Sequence, residues 1–173
     1  MLDVLPPHHR LFYQIRYYCG LRPGETIALR WSDYRNGEFH VSRSIVEGVE
    51  GSTKTDQART VPVHPVVARA LNDQSVRQLG DNRIVLNYQG QPYTTASGPA
   101  KALVRAMQKT GVRYRNPYNV RHACATRMLE AGMKPGYCAS VLGHSLQVFF
   151  QIYARWINAE ESAEQARIWA TLD

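Results

Sequence analysis

The stretch GLRPGETIALRWSD (Gly20–Asp33) joins two helical patterns through a turn that carries a cation and an acid. Upstream, HRLFYQIRYYCG (residues 9–20) places Leu11, Phe12, Ile15, Tyr18 and Cys19 on one helical face, and Gly20 supplies the stop. Downstream the chain restarts as a helix, with Pro23 near the first-turn position, where its missing N–H costs nothing. Arg22 therefore sits in a helix–helix turn, with Glu25 three residues on.

Beyond this elbow, EFHVSRSIVEG (38–48) and ARTVPVHP (58–65) are alternating and β-branched. The Gly, Ser and Thr between them read as a turn, so a hairpin or small sheet is expected over about 38–64, with Lys54 in its turn. A helix from Pro65 to Leu79 and a short strand, NRIVLNY (82–88), come next. GPAKALVRAMQKTG (98–111) reads as a helix with Ala102, Leu103 and Met107 inward. NPYNVRHACATRMLEAG (116–132) repeats that grammar, with Val120, Cys124 and Met128 or Leu129 inward. KPGYCASVLGH (134–144) is a shorter helix stopped by Gly143, and a helix holding Tyr153 follows. In the tail, residues 158–173, Asn158 can cap a last helix whose Ala166, Trp169 and Leu172 share a face. The fold class expected is α+β, mostly helical, with one small antiparallel sheet.

At 173 residues, 44% hydrophobic and 20% charged, the chain suits one compact domain of ordinary globular composition. It has no run of about 18 apolar residues and no basic-then-apolar leader at its start. Cys19, Cys124 and Cys138 are odd in number and far apart, which fits reduced core residues in a cytoplasmic protein. Residues 158–173 carry Glu160, Glu161, Glu164 and Asp173 against Arg167, a net of −3, so residues 1–157 carry +10 within an overall +7. A basic body with an acidic tail suits a polyanionic partner, nucleic acid before membrane.

Five pieces then fall in order: GLRPGETIALRWSD with Arg22 and Glu25, KTDQARTVPV beginning at Lys54, YNVRHACATRMLEAG with Arg121 and His122, LGH ending at His144, and Tyr153 nine residues beyond that histidine. Together they resemble the catalytic domain of the tyrosine recombinases, the phage-integrase family, over about residues 9–157. The resemblance implies the DNA breaking-rejoining fold and site-specific cleavage and rejoining of strands through a 3′-phosphotyrosyl link, for integration or excision, without metal, ATP or other cofactor. It implies that Arg22 and Arg121 hold the scissile phosphate, that Lys54 protonates the leaving 5′ oxygen, that His144 hydrogen-bonds a phosphate oxygen, and that Tyr153 attacks. Glu25 and His122 take supporting roles. One position departs from the pattern: Tyr118 stands where most members have the histidine of HxxR, and a phenol is a poor base at neutral pH.

The chemistry needs these residue types. A tyrosine with a pKa of about 10 is neutral at pH 7, so cations must lower the cost of its phenolate. Arginines are always charged and grip two oxygens each. A lysine's pKa is tunable, which suits a proton donor. Taken singly, each residue also has a duller reading: Tyr153 as core among Phe149, Phe150 and Ile152, Arg22 and Lys54 as solvated side chains, His144 as a cap. His8, His9, His40 and His64 read as surface or core residues, and Lys101, Arg105 and Lys109 as a solvated helix face. No metal-ligand pattern or phosphate loop is present.

The partners implied are a double-stranded recombination site and further protomers, a tetramer in the synaptic complex, with no membrane partner and a monomeric free form. The site of action implied is the cytoplasm of a bacterium, with a mobile element or phage as the source. Competing readings are a noncatalytic DNA-binding regulator that keeps this fold and a tyrosine-type topoisomerase. The division expected is a catalytic domain over 1–157 and a tail helix over 158–173 that docks in cis or on a neighbouring protomer. The helical core-binding domain that precedes this domain in the family is expected to be missing from the present chain.

Overall fold

The computed structural model describes residues 2–53, 58–75 and 82–157. After a short 3-10 turn at Leu2–Val4, Pro7 opens α1 (Pro7–Cys19) at a position where its lack of an N–H is harmless. The helix buries Leu11, Phe12, Tyr13, Ile15, Arg16 and Cys19. It ends at Gly20, whose φ of 70° is left-handed and whose N–H donates to the Arg16 carbonyl at 3.2 Å. Arg16 departs from the expected amphipathic pattern. Its guanidinium lies over the rings of Phe12 (5.5 Å) and Tyr13 (5.6 Å), and its Nε and Nη2 lack hydrogen-bond partners among the described residues.

α2 (Pro23–Ala28) follows at once, with Arg22 at its N-cap position. Then come β1 (Tyr34–Arg35), β2 (Glu38–Val41), β3 (Arg43–Val46), β4 (Val49–Ser52) and β5 (Arg59–Pro62). These make two antiparallel ladders, β1-β2-β5 and β3-β4, in place of the single sheet expected. Asn36 and Gly37, both at positive φ (53° and 76°), turn β1 into β2, and Glu47 and Gly48 (50° and 84°) turn β3 into β4. Two-residue turns of this hand match the twist of the flanking strands. The strand β4 thus lies inside the stretch read as a turn. The strands that flank Lys54, β4 and β5, pair with β3 and β2 respectively and not with each other. Lys54 itself lies outside the described residues.

Register explains what the first ladder buries. Phe39 opposes Val61, both fully buried, and Val41 opposes Arg59 one step along the same face. An ion-pair network fastens the second ladder: Glu50 on β4 takes Arg30 (2.8 Å) and Arg83 (2.5 Å), and Arg43 on β3 takes Asp33 (2.5 Å). The segment read as a strand at 82–88 forms only isolated bridges, Arg30 to Arg83 and Leu86 to Pro92. Ile84 and Val85 are consecutive and both fully buried, so the alternation that a half-buried ladder needs is missing.

The remaining elements are α3 (Pro65–Ser75), α4 (Ser97–Lys109), α5 (Asn119–Glu130), α6 (Pro135–Leu142) and a last helix, α7, over residues 146–157. The part of the α3 reading beyond residue 75 and the tail reading at 158–173 fall outside the described residues, Leu79 included. Buried apolar side chains form two clusters. The larger joins α1, α2, α3, α4, the first ladder and Ile84–Val85. The smaller joins Ala125 and Leu129 of α5, Cys138, Ala139 and Leu142 of α6, and Phe149, Tyr153 and Ile157 of α7. The three cysteines are buried and form no disulfide with one another. Among the described residues no helix is long and apolar enough to cross a membrane.

Gly20 is the point where α1, α5 and α6 meet. A Cβ there would lie 2.3 Å from Leu142 Cδ2 and 3.2 Å from Cys124 Sγ, in a left-handed backbone conformation. Gly20→Ala is therefore expected to destabilise the protein by about 2–4 kcal/mol, read as a lowered urea midpoint. Gly51→Ala, with open space around the new methyl, is expected to stay within about 0.5 kcal/mol.

Candidate active site

The elbow between α1 and α2 builds the site around one carboxylate. Glu25, at the third position of α2 and 1% exposed, accepts four hydrogen bonds. Its Oε1 takes Arg22 Nη1 (2.9 Å) and Arg59 Nη1 (2.9 Å); its Oε2 takes the Arg22 backbone N–H (2.8 Å) and Arg59 Nη2 (2.7 Å). Arg121 Nη1 comes within 4.0 Å of Oε2. Burial by itself would raise the Glu25 pKa. The hydrogen bonds and charge of Arg59, the Arg22 amide and the charge of Arg121 outweigh burial and hold it at about 2.

Backbone carbonyls fix the arginines further. Arg22 Nη2 donates to Gly143 O (3.0 Å), and Arg121 donates through Nη1 to Gly20 O (2.6 Å) and through Nη2 to Leu142 O. Arg59 Nε donates to Val141 O (2.8 Å). The end of α6 is thus gripped by three guanidiniums, and Gly143 lets them approach: a Cβ there would sit 3.1 Å from the Arg59 side chain. Arg121 is 1% exposed. Burial first, then Arg22 and Arg59, draw its pKa down to about 10, so it remains a cation at neutral pH.

Arg59 is the member that sequence reasoning missed. The signal was in the strand period, since Arg59 and Val61 lie two apart on β5 and share the face on which Val61 is fully buried. Three guanidiniums against one carboxylate leave this cluster with two positive charges in excess.

His144 and the aromatic groups lie on the α5–α7 side. His144 Nε2 is 3.1 Å from Arg121 Nη2, which can only donate, so Nε2 accepts and the ring proton is on Nδ1; Nδ1 is buried with no partner among the described residues. Burial, then Arg121, Arg22, His122 and Arg59, lower the His144 pKa to about 4, so it is a neutral imidazole. Tyr153, 1% exposed, packs edge to face with Trp156 and at 4.6 Å from the Phe149 ring. Its hydroxyl lies 2.8 Å from His122 Nδ1. Burial pushes the Tyr153 pKa up to about 12 and Arg121 opposes this, so the group is a phenol in this state. Tyr118, at the N-cap position of α5, is 41% exposed and meets the His122 ring edge to face at 5.6 Å.

Arg22, Glu25, Arg121, His122, His144 and Tyr153 are therefore joined by one chain of contacts, with Tyr118 at its rim. The arrangement offers fixed cations for an anionic group, a neutral imidazole beside them, and a buried phenol hydrogen-bonded to a second imidazole. Glu25→Gln keeps the shape and removes the charge that holds three guanidiniums together. It is expected to cost about 3–5 kcal/mol, since it leaves buried cations uncompensated. In the wild type the folded carboxyl is more acidic than the unfolded one. Its contribution is complete above about pH 4.5 and lost as pH falls through about 2. Thermal unfolding across this range should show that acid limb in the wild type and not in Glu25→Gln.

Residues 2–160 match the model of the phage integrase family. Among curated relatives, the chain is 29% identical over 190 residues to the prophage integrase IntR of Escherichia coli (strain K12), covering 92% of this chain and 46% of IntR. It is 27% identical over 176 residues to the tyrosine recombinase XerA of Thermococcus onnurineus (strain NA1), covering 97% of this chain and 60% of XerA. The chain spans about half the length of the curated relatives it matches. The fold superposes on the Tn1549 transposon integrase (residues 82–397) in complex with circular intermediate DNA with a TM-score of 0.77 at 23% identity, covering 92% of this chain and 59% of that one. It superposes on XerA recombinase with a TM-score of 0.70 at 19% identity, covering 86% and 58%. The helical architecture with its small antiparallel ladders is thus the fold of tyrosine recombinase catalytic domains, and the chain belongs to the phage integrase family.

Proposed function

We propose that this chain is the catalytic part of a site-specific DNA recombinase that cuts and rejoins strands through a 3′-phosphotyrosyl link, acting in the cytoplasm to integrate or excise DNA. The observation that carries the reading is the convergence of Arg22, Arg121 and His144 about Glu25, with the Tyr153 hydroxyl tied to the residue after Arg121.

In this reading Arg22 and Arg121 bind the non-bridging oxygens of the scissile phosphate, and the excess positive charge around Glu25 stabilises the charge that develops there during transfer. His144 gives a hydrogen bond to the same phosphate. Tyr153 forms the O–P bond as the P–O5′ bond breaks, and Lys54, assigned through the resemblance, protonates the departing oxygen. Attack requires the Tyr153 hydroxyl, buried in the α5–α7 cluster, to reach the phosphate, so binding of the substrate is coupled to a shift of α7 that keeps the hydroxyl within reach of His122. Rejoining runs the same step backwards, with a 5′ hydroxyl as nucleophile.

Double-stranded DNA is the proposed partner. Solved relatives in this fold include XerH bound to palindromic difH and a lambda integrase tetramer bound to a Holliday junction, and a tetramer on DNA is proposed here too. The exposed cations that flank the site include Lys101 and Arg105 on α4 and Arg113 and Arg115 in the loop that leads to Tyr118. Replacing Arg113 and Arg115 together by Ala is expected to weaken DNA binding evenly across sequences and to lower the slope of log K against log salt by about two. The slope is measured by titration at several salt concentrations.

The chemistry is tested with nicked duplexes of randomised sequence, enriched over several rounds for covalent capture by the protein. The wild type should accumulate a protein–DNA adduct and Tyr153→Phe none. An adduct that persists in Tyr153→Phe, or none with the wild type, would contradict the proposal.

A further inference from the structure

We infer that His122 is the general base that accepts the phenolic proton of Tyr153, an inference that rests on the recombinase reading above. The geometry is direct: Nδ1 of His122 and Oη of Tyr153 are 2.8 Å apart, within the reach of a single proton transfer. A neutral phenol is a good donor and a neutral imidazole nitrogen a good acceptor, so the hydrogen bond runs from Tyr153 to Nδ1, and the ring proton of His122 is on Nε2.

The other nearby groups are less suited. His144 already spends Nε2 on Arg121, its Nδ1 carries the proton, and its ring centre is 6.3 Å from that of Tyr153. Tyr118 is itself a phenol, a poor proton acceptor at neutral pH, and makes no hydrogen bond to Tyr153. The sequence departure at Tyr118 thus removes one imidazole from the site, and the residue after Arg121 supplies another.

Placement on α5 also matters. His122 follows Arg121, so the proton acceptor and the phosphate-binding cation belong to one helix and keep a fixed separation while Tyr153 moves on α7. The charged and titratable groups that face the ring are Arg121, Tyr118, Tyr153 and His144. Burial and then Arg121 lower the basicity of His122 in the free protein. A phosphate bound to Arg121 offsets that charge and makes the imidazole a better base. The substrate thereby activates its own attacker.

The step balances. The phenolic proton passes to Nδ1, the Oη–P bond forms, the P–O5′ bond breaks, and the 5′ oxygen takes a proton from the acid of the proposed mechanism. On rejoining, the imidazolium returns its proton to the departing phenolate.

Two measurements on the full chain decide it. With the captured nicked duplexes, single-turnover cleavage by the wild type should rise with pH as His122 loses its proton and then level off. His122→Gln should bind the DNA with unchanged affinity, cleave about 10²–10⁴-fold more slowly, and lose that acid limb. Added imidazole should restore part of the rate in His122→Gly. Cleavage by His122→Gln within about threefold of wild type, or a slower rate with the same acid limb, would overturn the assignment and leave the recombinase reading standing. Failure of the wild type to form any adduct would remove both. Independently of DNA, ¹⁵N shifts of the imidazoles in the wild type should show His122 Nδ1 unprotonated at neutral pH, and in folded Tyr153→Phe they should show that nitrogen perturbed. A proton on Nδ1 would overturn it.

Discussion

The carboxylate of Glu25 is the anion on which the site is assembled. It is buried, accepts four hydrogen bonds from Arg22 and Arg59, and stands 4.0 Å from Arg121. Three guanidiniums would not stay together in a weakly polar interior without it, because unpaired buried charge is expensive. Since one negative charge cannot neutralise three positive ones, the cluster is stable yet still attractive to a further anion. Under the proposed function, stability and affinity for phosphate thus have the same origin. The same groups bind the chain to itself: Arg22, Arg59 and Arg121 reach the carbonyls of Gly143, Val141 and Leu142 at the end of α6. The elbow after α1, the start of β5, the start of α5 and the end of α6 are therefore a single unit.

The tyrosine poses the opposite problem. Tyr153 contributes to the small cluster formed by α5, α6 and α7, and burial raises its pKa to about 12. Both facts make it a structural residue in the state described, consistent with the commonplace expectation for an aromatic at helical spacing. What distinguishes it is the polar end: the hydroxyl meets His122, on the helix that carries Arg121. Under the proposed function, the ring is stored in the core until a phosphate supplies the reason to move it.

Much of this was legible in the residue order. The turn after Gly20, the inward faces of α4 and α5 and the stop at Gly143 follow from local rules of helix ends and periodicity, which need no knowledge of the rest of the fold, whereas the support of Arg22 by Glu25 was implied by the family resemblance. The ladders were harder. Asn36–Gly37 and Glu47–Gly48 are each two-residue turns, and recognising them would have divided the β region into two ladders and put β4 inside the presumed turn. Arg16 and Arg59 could not be reached by the rule that charged residues lie outside. One is buried against aromatic rings and the other against a carboxylate, and only the fold brings those neighbours. The hydrogen bond between Tyr153 and His122 spans 31 residues and had no local signature.

Under the proposed function, the cluster around Glu25 is an unsatisfied anion site beside Tyr153. Crystals of the full chain soaked in tungstate test it most directly, because anomalous scattering locates the metal of a tetrahedral oxyanion without ambiguity. One tungstate is expected, with oxygens within hydrogen-bond distance of the Arg22 and Arg121 guanidiniums. Tungstate bound at other arginines while that position stays empty would contradict it.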